Sequence, residues 1–245
     1  MIKINLTKLI ADNSNYSRRQ SEKLIRDGRV KINDHLAKLG EKAGLDTKVF
    51  IDNKKIKKTN EKIYIKLNKP CGYVCTNKVF KNEKNIFSLV KNKTTQKLFS
   101  LGRLDKNSCG LIILTNDGNL TYQLTHPKFE HKKIYIIKLK NDIRLKNNSF
   151  INKLTNEFKK GIDINEKTPA KMKEIKQIKE REFEITLTEG KKRQIREMFK
   201  YLELEVDFLK RINFAGINLG NLKEGQWIDL NEKEIIELRR GGRVV

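Results

Sequence analysis

Leu101-Gly102-Arg103-Leu104-Asp105-Lys106-Asn107-Ser108-Cys109-Gly110-Leu111-Ile112-Ile113-Leu114-Thr115-Asn116-Asp117-Gly118 is the stretch from which the fold can be read. An Arg and an Asp two apart sit in a polar loop that runs straight into four consecutive aliphatic residues and then an Asn-Asp-Gly turn. A run that is apolar on both faces suits a strand covered on both sides, which places residues 111–114 near the middle of a sheet. A carboxylate at the mouth of such a strand is rigidly held, as a catalytic group must be. The alternative for Asp105 is a loop residue that caps a turn.

Working outward, alternating or apolar runs predict further strands at 63–67, 73–76, 134–139, 183–187 and 206–212. Ile195, Met198, Phe199 and Leu202 recur at helical spacing and predict an inward-packing helix, with Arg193, Arg196 and Lys200 on its other side. The lysine-rich stretches 78–97 and 144–160 read as loops or peripheral helices. The pattern is α+β with sheet dominant.

Before the strand at 63–67 lies a polar linker, Asp52-Asn53-Lys54-Lys55-Ile56-Lys57-Lys58-Thr59-Asn60-Glu61, which predicts a boundary between a module at 1–58 and a domain at 62–240. The module reads as helical with a short strand pair. A first helix carries Leu6, Leu9 and Ile10, and a second opens on a capping box of Ser17 and Gln20 and closes at Asp27-Gly28. Residues 29–32 alternate as a strand. The first sixty residues hold 15 basic against 7 acidic residues, with Arg18, Arg19, Lys23 and Arg26 on or near one helix. That helix is either a basic contact surface or a solvated face.

Lys and Arg number 54 against 30 Asp and Glu, a net charge of +24 over 245 residues, which favours polyanionic partners. Only 13 of the basic residues are Arg, and the many Lys, Ile and Asn residues also fit a biased nucleotide composition. No run approaches the roughly 18 apolar residues of a membrane helix, and the first residues lack a signal-peptide pattern, so the expectation is a cytoplasmic protein with no membrane partner. Cys71, Cys75 and Cys109 lack zinc or disulfide spacing and read as reduced structural thiols. His35, His126 and His131 lack metal-site spacing, and phosphate-loop and dinucleotide fingerprints are missing, so neither metal nor cofactor is expected.

The 101–118 stretch resembles the GRLDxxTxGLLLLTNDG signature of RNA pseudouridine synthases that modify ribosomal RNA, with Ser108 in place of the usual Thr. Three further strings follow in family order. Leu67-Asn68-Lys69-Pro70-Cys71-Gly72 is similar to LNKPxG, Lys133-Ile134-Tyr135 to KxY, and Glu189-Gly190-Lys191-Lys192-Arg193-Gln194-Ile195-Arg196 to EGxxRQVR. Residues 17–33 resemble the RNA-binding domain shared with ribosomal small-subunit protein four. The resemblance implies a small helical RNA-binding module followed by a mixed α/β catalytic domain built on an antiparallel sheet.

Residue by residue, the resemblance implies that Asp105 is the catalytic carboxylate, Tyr135 the ring that stacks on the target base, and Arg196 the ion-pair partner that keeps Asp105 ionised. Arg193 competes for that last role. A lone strand Tyr is otherwise core filler, and helix-surface arginines otherwise face solvent. Arg103 suits the extrusion of a base and contact with phosphate, or else a salt bridge to Asp105. Lys133 and Arg193, with Arg18, Arg19, Arg29 and Lys31 of the module, are the remaining candidate RNA contacts. Glu197 stands where relatives often carry a basic residue, and Trp227 resembles a core residue of the family's GEW segment.

The chemistry needs no cofactor. The bond from ribose to N1 breaks, the base turns, and C5 is rejoined to the sugar, with one carboxylate acting as nucleophile or as base. The expected partner is ribosomal RNA or a ribosome-assembly intermediate, met by a monomer. The strings around Asp105 and Arg193 look closer to the large-subunit branch, which favours 23S over 16S ribosomal RNA. The alternative outside enzymology is an RNA-binding assembly protein that has kept the fold.

Overall fold

The computed structural model describes residues 3–44, 46–57, 61–78, 81–94, 96–126 and 129–241. Contacts divide the chain into two units: Met1–Ile63 with Asn92–Phe99 and Thr115–Gly118, and Tyr64–Lys91 with Ser100–Leu114 and Asn119–Val245.

The first unit holds β1 (Lys3–Asn5), α1 (Leu6–Asp12), α2 (Arg18–Arg26), β2 (Val30–Ile32), β3 (His35–Leu36), β4 (Lys42–Gly44), β5 (Val49–Ile51) and β6 (Lys54–Lys55). The capping box forms as read: Gln20 N donates to Ser17 Oγ at 3.2 Å and Ser17 N to Gln20 Oε1 at 2.7 Å. Leu24 and Ile25 of α2 join Leu6, Leu9, Ile10, Val30, Val49 and Ile51 in one core. The expected single strand pair is richer in fact, a four-stranded sheet in the order β3-β2-β5-β6 and a separate β1-β4 pair. Strands of two or three residues show too few alternations to stand out in a sequence.

The second unit is built on β7 (Tyr64–Lys69), β8 (Phe99–Ser100), β9 (Cys109–Thr115), α3 (Gly118–Thr125), β10 (Lys133–Leu139), α4 (Asn148–Lys160), β11 (Glu174–Lys179), β12 (Glu182–Leu187), α5 (Gln194–Tyr201), β13 (Val206–Phe214), β14 (Ile217–Asn218), β15 (Trp227–Asp229) and α6 (Glu232–Gly241). Its sheet runs β11-β12-β10-β13-β9-β7-β15, with β8 on β9 and β14 on β13. Antiparallel pairs dominate, as expected, and β13 against β9 is parallel. All seven residues of β9 are buried, which fits its interior position. One hydrophobic cluster joins β10, β12 and β13 to α4 and α5. Another gathers Tyr64, Leu111, Ile113, Leu120, Leu124, Phe214 and Leu238. Among the described residues no helix is long and apolar enough to cross a membrane.

One local expectation is corrected and one is sharpened. Residues 73–76 form no strand: only an isolated bridge, Val74 to Asn85, is made, while Gly72 N donates to Lys106 O and Leu104 N to Cys75 Sγ. The stretch is spent on holding a neighbouring loop. Residues 144–160, read as a loop or peripheral helix, include α4, whose Phe158 is fully buried edge-on to Phe199 at 4.8 Å between ring centroids. Phe150, Leu154 and Phe158 recur every fourth residue, but the intervening lysines and asparagines mask that stripe.

Gly110 is required where β9 meets β13. Its φ is +101°, and a Cβ there would lie 2.2 Å from the carbonyl oxygen of Arg211. Gly110→Ala is therefore expected to cost about 3 kcal/mol or more, through strain and forced separation of two buried strands. Urea unfolding followed by circular dichroism measures this, and a variant as stable as the parent would contradict the close approach.

Candidate active site

Asp105 sits in the loop that feeds β9, and the loop's backbone is tied down carbonyl by carbonyl. Asp105 O accepts from Ser108 N at 3.0 Å, and Lys106 O accepts from Gly72 N at 2.8 Å. Asn107 O accepts from Arg196 Nη2 at 2.9 Å, and Ser108 O from Lys69 Nζ at 2.6 Å. Lys69 Nζ also reaches Pro70 O at 3.0 Å and Lys106 O at 3.3 Å. Four consecutive carbonyls are thus bonded, while the Asp105 side chain is exposed and makes no hydrogen bond or ion pair to a described residue. The loop is rigid and its carboxylate is uncommitted.

Arg196 approaches this loop from α5. The expected ion pair with Asp105 is not formed; Arg196 Nη1 donates instead to Val206 O at 2.6 Å, and Nη2 to Asn107 O. The guanidinium is captured by main-chain carbonyls, and Asp105 acts on it through its field. Burial holds Arg196 below the ordinary arginine value, Arg193 adds to that effect, and Asp105 opposes it. Arg193 takes the residue before α5 in left-handed conformation, φ +52°, and pairs with Glu197 at 3.3 Å. Arg103 is exposed, and the alternative salt bridge to Asp105 is not made among the described residues.

The turn before α5 is held by residues that the sequence reading left without roles. Gln194, only 3% exposed, donates to Glu189 Oε1 at 2.7 Å and to Lys171 O at 3.0 Å, and accepts from Lys191 N at 3.1 Å. Lys191 Nζ donates to Thr168 O and Pro169 O. These residues lie inside the quoted Glu189-to-Arg196 string, so their presence was visible and their function as a brace was not.

Tyr135 lies in β10, 8% exposed, in the same cluster as Leu104, the residue before Asp105. Lys133, expected to meet RNA, has its amine committed to His131 O at 3.1 Å and to Thr188 O and Glu189 O at 3.4 Å. Burial, and then the charge of Arg211, pull its pKa down to about 8. Three cysteines flank the loop. Cys75 accepts from Leu104 N, while burial foremost, aided by Cys71, pushes Cys109 up to about 12 and keeps it a thiol. Among the described residues no group of His, Cys, Asp and Glu is arranged to hold a metal ion.

In the first unit, Arg18 and Arg19 are exposed at the start of α2. Arg29 and Lys31 are more committed. Arg29 grips Asp52 with two bonds of 2.8 and 2.6 Å, and Lys31 Nζ donates to Asn53 Oδ1 at 3.1 Å, so both fasten β2 to the β5–β6 turn.

This sequence and this fold have counterparts among known proteins. A family model described as RNA pseudouridylate synthase matches residues 63–201, the span that contains all four family-like strings. The chain belongs to the RNA pseudouridine synthase family, and it is an isomerase. It is 35% identical over 240 residues to ribosomal large subunit pseudouridine synthase B of Bacillus subtilis (strain 168), covering 96% of this chain and 95% of that relative. It is 32% identical over 238 residues to the dual-specificity RNA pseudouridine synthase RluF of Salmonella typhi, covering 95% and 78%. A crystal structure of a pseudouridylate synthase matches with a TM-score of 0.67 at 29% identity, across 96% of this chain and 99% of that one.

Lys133 makes a signed prediction. Its pKa in the fold, about 8, is below the ordinary lysine value of 10.5, so the protonated amine opposes folding. That penalty is full below pH 8 and is released as pH rises from 8 to 10.5. The melting temperature of Lys133→Met, relative to wild type, should therefore be more favourable at pH 7 than at pH 10. A difference that is flat or grows with pH, measured by thermal melts, would contradict the burial.

Proposed function

We propose that this enzyme isomerises a specific uridine of 23S ribosomal RNA to pseudouridine, with Asp105 as the catalytic carboxylate. The observation that carries the reading is the exposed Asp105 side chain, unpaired among the described residues, on a loop whose four carbonyls from 105 to 108 are all bonded. A carboxylate held in this way meets its substrate without first breaking an internal contact.

Either of two routes suits it. Asp105 attacks the anomeric carbon, or it removes the proton from C2′; in both, the pair of electrons of the bond to N1 leaves with uracil. Tyr135 lies beneath the extruded base, and Arg196 holds the loop through Asn107 O. Arg103, exposed two residues away, fills the gap in the RNA stack and meets phosphate. The large-subunit assignment leans on the likeness to a large-subunit synthase. The working unit is a monomer in the cytoplasm, and its partner is ribosomal RNA or an assembly intermediate.

In the first unit, Arg18 and Arg19 on α2 are the RNA grip, whereas Arg29 and Lys31 brace the neighbouring sheet. Removing Arg18 and Arg19 together should lower the slope of log K against log salt by about 1.5, since each phosphate contact contributes roughly 0.7–0.9. A slope unchanged in filter binding would exclude them. The main test is to map pseudouridine in 23S and 16S ribosomal RNA with and without the gene, and with Asp105→Asn. One 23S uridine should lose its modification in both the deletion and the variant. Loss in 16S instead would move the substrate, and an active Asp105→Asn would overturn the catalytic assignment.

A further inference from the structure

Among the described residues Arg211 is one of the largest fully buried side chains, 1% exposed, and no carboxylate of those residues lies within ion-pair distance. Its Nε donates to Leu111 O at 2.8 Å, its guanidinium covers the Phe214 ring at 5.0 Å, and Nη2 has no hydrogen-bond partner. A single main-chain bond and a ring face offset little of what it costs to take a guanidinium out of water. A site chosen for stability alone would hold an apolar residue here.

Its surroundings are those of the active centre. Arg211 stands directly across from Tyr135 in the β10–β13 pairing, and side chains so paired share one face with Cβ atoms about 5 Å apart. On its other side it pairs with Gly110, and its Nη1 lies 3.9 Å from where a Cβ of Gly102 would stand. Gly102 opens the Gly-Arg-Leu-Asp run that ends in Asp105. One buried charge therefore lies between the two halves, beside the strand of the base platform and near the start of the run that leads to the carboxylate.

We propose that Arg211 is a further electrostatic residue of the reaction, a buried cation whose counter-charge is the uracil ring at the moment its bond to ribose breaks. As that bond breaks, its electron pair stays on the base, spread over N1 and the two carbonyl oxygens. Concurrently C1′ either bonds to an Asp105 oxygen, or takes up the electrons of the C2′–H bond while Asp105 accepts the proton. Both routes give an anionic base, so the proposal holds for either. It rests on the reading of Tyr135 as the base platform. Lys133 shares the face of β10 two residues before Tyr135 and adds positive charge from the same side.

The test separates a charge held for chemistry from a structural strut. Arg211→Met removes the charge at similar volume. Expected are a kcat lowered by at least about tenfold, a KM for ribosomal RNA within about twofold, and a melting temperature raised by about 2 °C or more. Arg211→Lys, which keeps the charge, should retain more kcat than the Met variant. If the Met variant does not fold, Arg211→Gln keeps a donor for Leu111 O and takes the same measurements. Neutral variants with wild-type kcat would overturn the proposal. So would a melting temperature that falls together with kcat. These outcomes are read against Asp105→Asn in the same assay: an inactive wild type would sink the assigned function, whereas an active Arg211→Met beside an inactive Asp105→Asn would sink only this inference.

Discussion

The ammonium of Lys69 has no exposed surface and meets the carbonyls of Pro70, Lys106 and Ser108. Burying such a charge is tolerable only if its donors are satisfied, and here three donors find three acceptors. Burial still pushes the amine below the usual lysine range, and the nearby cysteines and Asp105 pull the other way. The contact joins the end of β7 to the loop before β9, two segments far apart in the chain. The position of Asp105, the capture of Asn107 O by Arg196 and the start of the fully buried β9 all presuppose that this loop is already held.

Around that loop the enzyme has concentrated positive charge in its interior. Lys69 and Arg211 are buried, Arg196 is half-buried, Lys133 is partly buried, and the exposed carboxylate among them is Asp105. Each cation is hydrogen-bonded chiefly to main-chain carbonyls, which are dipoles and leave the net charge in place. A centre organised in this way spends stability to keep its field, the familiar trade between a robust fold and a working site.

Much of this was legible in the amino-acid order. The 3.6-residue stripe of Ile195, Met198 and Phe199, the all-apolar run of β9 and the Ser17–Gln20 cap are local patterns, and each formed where it was read. What stayed hidden is the closure of the site in space. Lys69, Gln194 and Arg211 act on carbonyls of other segments, and a donor to a backbone oxygen leaves no complementary side chain to notice. Arg211 lay in a segment read only as a strand, beside Lys210 and Asp207, with nothing in the order of residues to mark it. The ion pair expected between Arg196 and Asp105 failed for the same reason: the competing acceptors were peptide groups, which every residue carries.

The strand order β11-β12-β10-β13-β9-β7-β15 has a kinetic consequence. β13 alone joins the half that contains Tyr135 to the half that contains Asp105, and its partner β9 precedes it by roughly a hundred residues. Such non-local pairing closes slowly, and during synthesis it must wait until residue 214 has left the ribosome. A nascent chain that already displays Arg18 and Arg19 has no assembled centre. The sheet that carries both halves is thereby among the last parts of the chain to close.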